Sequence, residues 1–182
     1  MSAENFAACF AATERWEGWH QFSLDPRDPG GATWCGLTQK SYDAWRFQRK
    51  LPLQGVRKAS DDEIRAIFHD EYWAQARCDD CFAGLDLVQF DSAINEGPAQ
   101  ATKILQRALG VAADGVFGLE TLYALQGAYR EEELIRKVCE LRFSFWRGLR
   151  TFRYFGQGWM ARGEDIEKRA LEMLALSFDG GR

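Results

Sequence analysis

ERWEGWHQFSLDPRDPGGATWCGLT, residues 14–38, decides the reading of this chain. Phe6, Phe10, Thr13 and Glu17 fall at spacings that share one helical face, so residues 3–17 read as an amphipathic helix. Gly18 follows as a helix stop. Residues 19–37 then read as a loop with short strands around Trp19–Phe22 and Thr33–Leu37. A glutamate thus stands at the end of an apolar helix face, ahead of an irregular loop carrying Asp25 and Asp28, each followed by proline.

That arrangement suggests a chemistry. Burial disfavours the ionised form of a carboxylic acid, whereas a carboxylate on a solvated loop stays charged. Two carboxyl groups held in different protonation states are what cleavage of a glycosidic bond needs. One protonates the leaving oxygen; the other attacks, activates water or stabilises the cationic sugar. Taken singly, Glu17 also reads as an ordinary helix-end acid, and Asp25 and Asp28 as turn residues.

The rest of the chain reads as mainly helical. Thr38 caps a helix reaching about Phe47. Ser60-Asp61-Asp62-Glu63 is a capping box opening a helix to about Trp73. Helices follow over Leu85–Asn95 and Pro98–Leu109, the second ended by Gly110. A turn at Asp114–Gly118 leads to a short helix over 119–127. A long helix over 131–153 carries the stripe Leu134, Val138, Leu141, Phe145, Leu149 and Phe152, and a last helix covers 163–177.

Composition sets the outer bounds. The 182 residues are 46% hydrophobic and 14% aromatic, ample for a packed core and too apolar for disorder. A net charge of −4, with the acidic excess in the first half, is not the balance of a nucleic-acid binder. Five cysteines at irregular spacing (Cys9, Cys35, Cys78, Cys81 and Cys139) argue for reduced thiols rather than a disulfide framework. The lone Cys78-x-x-Cys81 with two histidines, His20 and His69, lacks zinc-site spacing, so no metal is expected. Cys35 with either histidine lacks the orienting partner of a cysteine peptidase. Arg147, Arg150 and Arg153 read as a solvated helix face, or as a grip on an anionic polymer. The tryptophans read mostly as core, with sugar stacking as their alternative use.

Several spaced motifs add a family resemblance. Glu17-Gly18, Asp25-Pro26-Arg27-Asp28-Pro29-Gly30-Gly31-Ala32-Thr33 and Gly36-Leu37-Thr38 resemble the signature of glycoside hydrolase family 108. These are N-acetylmuramidases of phage-endolysin and secretion-activator type. Tyr72-Trp73 and Phe90-Asp91-Ser92-Ala93-Ile94-Asn95-Glu96-Gly97 resemble later family motifs, as do Gly158-Trp159 and Arg162. Leu105-Gln106 with Asp114-Gly115-Val116-Phe117-Gly118 and Thr121 resembles a peptidoglycan-binding module. Two departures stand out: Trp19-His20 replaces the family's Gly-Tyr, and Leu119 stands where proline is frequent.

The resemblance implies a lysozyme-like fold, mainly α with a small β/loop region after the first helix. It implies a catalytic region over residues 1–96. Residues 97–182 then form a peptidoglycan-binding-like helical region, separate or packed with the first into one lysozyme-like domain. Glu17 maps onto the family's catalytic acid. By similarity to phage-type lysozymes, Asp28, or else Asp25, supplies the second charge and Thr33 positions water or that carboxylate. Trp19, His20, Tyr72, Asn95 and Trp159 are the expected sugar-binding residues. The expected activity is cleavage of the β-1,4 bond between N-acetylmuramic acid and N-acetylglucosamine in bacterial peptidoglycan, without a cofactor. The alternative is a non-catalytic wall-binding or secretion-assisting protein on the same fold. No leader or spanning segment is read, so stable membrane insertion is not expected. Cytoplasmic synthesis, then passage to the wall in the periplasm through a holin or a dedicated secretion system, is.

Overall fold

The structure is a computed structural model, and it describes residues 2–17, 21–24 and 31–179. Its backbone divides into two compact units, residues 13–71 and residues 1–12 with 72–182.

Helix α1 (Ser2–Thr13) buries Phe10 and Thr13, as their spacing requires. It is shorter than the expected helix. Glu14–Trp16 tighten into a 3₁₀ turn, closed by Glu17, whose N–H donates to Glu14 O at 3.2 Å. A 3₁₀ turn takes about 3.0 residues against 3.6 in an α-helix. Glu17 is therefore rotated off the Phe6–Phe10–Thr13 line, and its side chain is half-buried.

Residues 13–71 hold the small sheet. Strands β1 (Phe22–Ser23), β2 (Thr33–Trp34) and β3 (Leu37–Thr38) pair antiparallel in chain order. Thr33 faces Ser23 on one side and Thr38 on the other. The β2–β3 turn is Cys35-Gly36, with φ of +51° and +76°. Two positive φ values mark the type I′ turn, whose twist matches a tight hairpin. The Thr38 hydroxyl then accepts from the Ser41 N–H at 3.2 Å and opens α2 (Gln39–Gln48).

The expected capping box is present: Ser60 and Glu63 bond each other's backbone N–H at the start of α3 (Asp61–Phe68). The same Glu63 carboxylate accepts from the Tyr42 hydroxyl at 2.8 Å and pairs with Arg46, so one acid caps α3 and ties it to α2. The helix expected to reach Trp73 changes at His69–Trp73 into a π-helical turn.

In the other unit, α4 (Leu85–Glu96) is buried on all sides from Leu85 to Ala93. It packs against α5 (Pro98–Leu109), α7 (Glu131–Arg147) and α8 (Phe152–Asp179). Between α5 and α6 (Leu119–Gln126), Gln106 organises the Asp114–Gly118 turn. Its amide donates to Asp114 Oδ1, Val116 O and Thr121 Oγ1, and its carbonyl accepts from the Gly115 N–H.

Two expectations about the C-terminal helices are corrected. The helix expected over 131–153 ends at Arg147, capped by Gly148, and the last helix starts at Phe152 rather than 163. Leu149 consequently lies outside α7 and is 36% exposed. The buried face of α7 runs instead through Leu134, Ile135, Val138, Cys139, Arg142 and Trp146. The glycines of α8 do not break it. Gly163 is a contact residue: a Cβ there would come within 2.3 Å of Phe143 Cε1 and 2.8 Å of Trp146 Cζ3. None of the five cysteines forms a disulfide, and burial pushes the Cys139 thiol up to about 12. No described helix is long and apolar enough to cross a membrane.

Candidate functional site

Glu17 sits where the chain leaves the first helix and is flanked by the β2–β3 turn. Gly36 is the neighbour that makes this possible: a Cβ built on it would lie 3.3 Å from Glu17 Oε2 and 3.4 Å from Glu17 O. Its φ of +76° also favours glycine for backbone reasons. The hairpin thus brings the Gly36 backbone against the Glu17 carboxylate. Sequence reasoning placed Gly36 in the family signature but gave it no role. Its signal was present in Cys35-Gly36, a two-residue turn between short β-prone runs.

Thr33, half-buried in β2, begins the same hairpin. The other expected residues of this stretch, Trp19, His20, Asp25 and Asp28, lie outside the described residues, as does Gly18. Tyr72 is half-buried within the π-helical turn and its carbonyl accepts from the Ala76 N–H at 2.9 Å. Its neighbour Trp73 is core, edge-on to Phe6 and Phe90 and donating to Asp79 Oδ1 at 2.9 Å.

Asn95 and Trp159 meet in the second unit. With Glu96, Phe145, Trp146 and Leu149 they line a cavity of about 200 Å³. Two of these residues, Glu96 and Trp146, belong to an ion network that sequence reasoning missed. Arg142, 1% exposed, pairs with Asp91 Oδ2 at 2.6 Å and Glu96 Oε1 at 3.0 Å. Arg162 donates twice to Asp91 Oδ1, at 2.9 and 2.7 Å. The Trp146 indole N–H also donates to Glu96 Oε1, at 2.8 Å. Burial raises the Glu96 carboxyl above its ordinary range, against the opposing pull of Arg142. A hint lay in the sequence: Arg142 falls midway between Val138 and Trp146, on the buried stripe. The other arginines noted in this region, Arg147, Arg150 and Arg153, are exposed.

A helical core around one fully buried helix, a small sheet after the first helix, and a glutamate at that junction define a lysozyme-like protein. The solved structure of SagA from Brucella abortus superposes with a TM-score of 0.79 at 35% identity, covering 94% of this chain and 96% of that one. The glycosyl hydrolase 108 model matches residues 10–97, and a model described as "Predicted Peptidoglycan domain" matches 100–164. No curated protein matches the chain. The chain belongs to the glycosyl hydrolase 108 family, and its function is peptidoglycan-related.

Proposed function

We propose that this protein is a muramidase that hydrolyses the β-1,4 bond between N-acetylmuramic acid and N-acetylglucosamine. The observation that carries the proposal is Glu17, a half-buried acid closing the first helix, with the Gly36 turn against its carboxylate. A side chain at position 36 would crowd that carboxylate, and the glycine leaves it room to act.

In this mechanism Glu17 protonates the departing glycosidic oxygen as the oxocarbenium-like sugar forms. Asp28, or else Asp25, supplies the negative charge on the opposite side of the sugar, and Thr33 positions water or that carboxylate. Asp28 is the first choice, because Pro29-Gly30-Gly31 follows it and two glycines let backbone approach a ligand closely. Asp25, an acid before proline, takes the role of a turn residue in this reading. Trp19, His20 and Tyr72 contact the glycan. The chain is made in the cytoplasm and reaches the wall through a holin or a dedicated secretion step.

Turbidity loss of outer-membrane-stripped cells tests the reading. Glu17→Gln should remove lysis while the circular dichroism and melting curve stay those of the wild type, since general acid catalysis alone contributes about 10²–10⁴-fold. Glu14→Gln serves as the control. Lysis at the wild-type rate by folded Glu17→Gln would overturn the role given to Glu17, whereas absence of lysis by the wild type would leave the alternative, a wall-binding or secretion-assisting protein, for which the Trp19-His20 departure leaves room. Within the mechanism, Asp28→Asn should cut turnover at constant melting temperature, whereas Asp25→Asn should lower both. The reverse pattern exchanges their roles.

A further inference from the structure

The stretch AWRFQRKLPLQGVRKAS, residues 44–60, holds five basic residues and no acid, in a chain whose net charge is −4. At its centre, residues 47–53 are exposed without interruption. Phe47, Leu51 and Leu53 are 78%, 38% and 62% exposed, and with Gln48, Lys50 and Pro52 they line one shallow hollow on the surface. Single exposed apolar residues are ordinary. Three within seven residues, beside cations, mark an interaction surface.

The fold fastens this segment at both ends of its apolar tip. The Leu51 N–H donates to Arg46 O at 2.9 Å and the Lys50 N–H to Phe47 O at 3.0 Å, the two bonds that end a helix in a Schellman motif. That motif needs a left-handed residue, and here it is Lys50, with φ of +56°. Glycine is the ordinary choice there, so the chain keeps a cation where the backbone disfavours any side chain. Further on, Arg46 Nε donates to Pro52 O at 2.6 Å, while its Nη1 bonds the Tyr42 hydroxyl at 2.9 Å and pairs with Glu63. Of the exposed cations, Arg49 is paired with Asp70. Among the described residues no acid pairs with Lys50, Arg57 or Lys58, and all three are exposed.

We propose that residues 47–58 form a peripheral attachment site for an anionic phospholipid bilayer, with Phe47, Leu51 and Leu53 entering the headgroup region and Lys50, Arg57 and Lys58 meeting lipid phosphates. An apolar tip beside cations is what interfacial binding needs: buried apolar area supplies affinity, and each cation near an anionic leaflet adds to it. The same two features disfavour other occupants. An anionic wall polymer offers little to three apolar side chains, and a second copy would set the basic segment against its own like charge. Attachment of this kind stays at the surface, since no described helix is long and apolar enough to cross a membrane. It uses none of the residues assigned to bond cleavage and does not depend on that activity.

The test is co-sedimentation of the full chain with vesicles of phosphatidylglycerol and phosphatidylethanolamine, compared with vesicles of phosphatidylcholine alone. The anionic vesicles should bind at least about tenfold more tightly, and added salt should shrink the difference. Phe47→Ser combined with Leu53→Ser should weaken binding by about tenfold or more. Lys50→Gly should weaken it by about fivefold while the melting temperature does not fall, because glycine relieves the backbone at φ +56°. All of these positions are exposed, and melting curves check that each variant is folded. Glu17→Gln should bind vesicles as the wild type does, so failure of the muramidase reading and failure of this one are read separately. Lipid-free sacculi form the second arm, to which the double serine variant should bind as the wild type does. No binding to the anionic vesicles, equal binding to phosphatidylcholine, or undiminished binding by the double serine variant or by Lys50→Gly would each overturn the proposal. So would loss of sacculus binding by the double serine variant, which would assign the surface to the wall polymer.

Discussion

The backbone of Gly36 lies against the Glu17 carboxylate, so closely that a methyl at position 36 would stand 3.3 Å from Oε2. The contact is sequence-local in neither partner, since a two-residue turn delivers it from the far end of the acid-bearing loop. Gly36→Ala should therefore act twice. An alanine at φ +76° strains the turn by about 1 kcal/mol or somewhat more. Its methyl also displaces Glu17, and misplacing a catalytic group by a fraction of an ångström should cost roughly tenfold or more in lysis rate. Turbidity kinetics at a temperature well below unfolding separate the two. An unchanged rate there would mean that the carboxylate position is set by something other than the turn.

Breaking the Asp91–Arg162 pair should be expensive. Asp91 is wholly buried, and Arg162 and Arg142 divide its two oxygens between them. Arg162→Met leaves a buried carboxylate with half its partners, a change expected to cost about 3 kcal/mol. For a chain of this size that corresponds to a melting temperature lower by roughly 6–12 °C. Pairing it with Asp91→Asn should recover part of the loss. A double variant that shows simple additivity would deny the coupling.

Asp86 gives a pH dependence with a definite sign. Its carboxyl is raised above the ordinary 3.8 by burial, against the bonds it accepts from Leu87 N–H, Gly84 N–H, the Asn5 amide and the Cys9 thiol. Above 3.8 the unfolded chain has lost this proton while the native state still holds it. The native state binds more protons in that window, so stability from this group falls as pH rises, until the folded carboxyl also ionises. Glu96 contributes with the same sign from 4.5 upward. Urea midpoints at successive pH values should show a shallower fall for Asp86→Asn than for the wild type. Identical slopes would assign the effect elsewhere.

Two glycines of α8 should respond in opposite directions. Gly163→Ala drives a methyl to 2.3 Å from Phe143, and overpacking of this kind costs about 1–3 kcal/mol, more than the helix propensity regained. Gly158→Ala meets nothing within 4 Å and should stabilise by roughly 0.5–1 kcal/mol. Thermal melts of the two variants check the pair. A stabilised Gly163→Ala would mean that α7 and α8 are packed less closely than their rings indicate.

The sequence by itself determined what is decided by near neighbours along the chain. Thr38 and the Ser60–Glu63 box fixed the starts of two helices, because a cap bonds a backbone group only three residues on. Pro98 and Gly110 bounded α5 by what their backbones permit. The place of Glu17 at the end of the first helix was legible for the same reason. Its departure from the helical face was not, since the 3₁₀ turn leaves no mark in the spacing of apolar residues. Only the tertiary structure decided the rest. Gly163 reads only as the start of the last helix until Phe143 and Trp146 are seen against it. Nothing in the spacing assigns Arg142 a partner, and the interior pairs it with both Asp91 and Glu96 while Arg162 pairs with Asp91. Asp91 and Arg162 are 71 residues apart, and no local rule assigns a buried charge its partner across such a distance. Burial of charge depends on which groups folding brings together, and that is settled by packing rather than by sequence spacing.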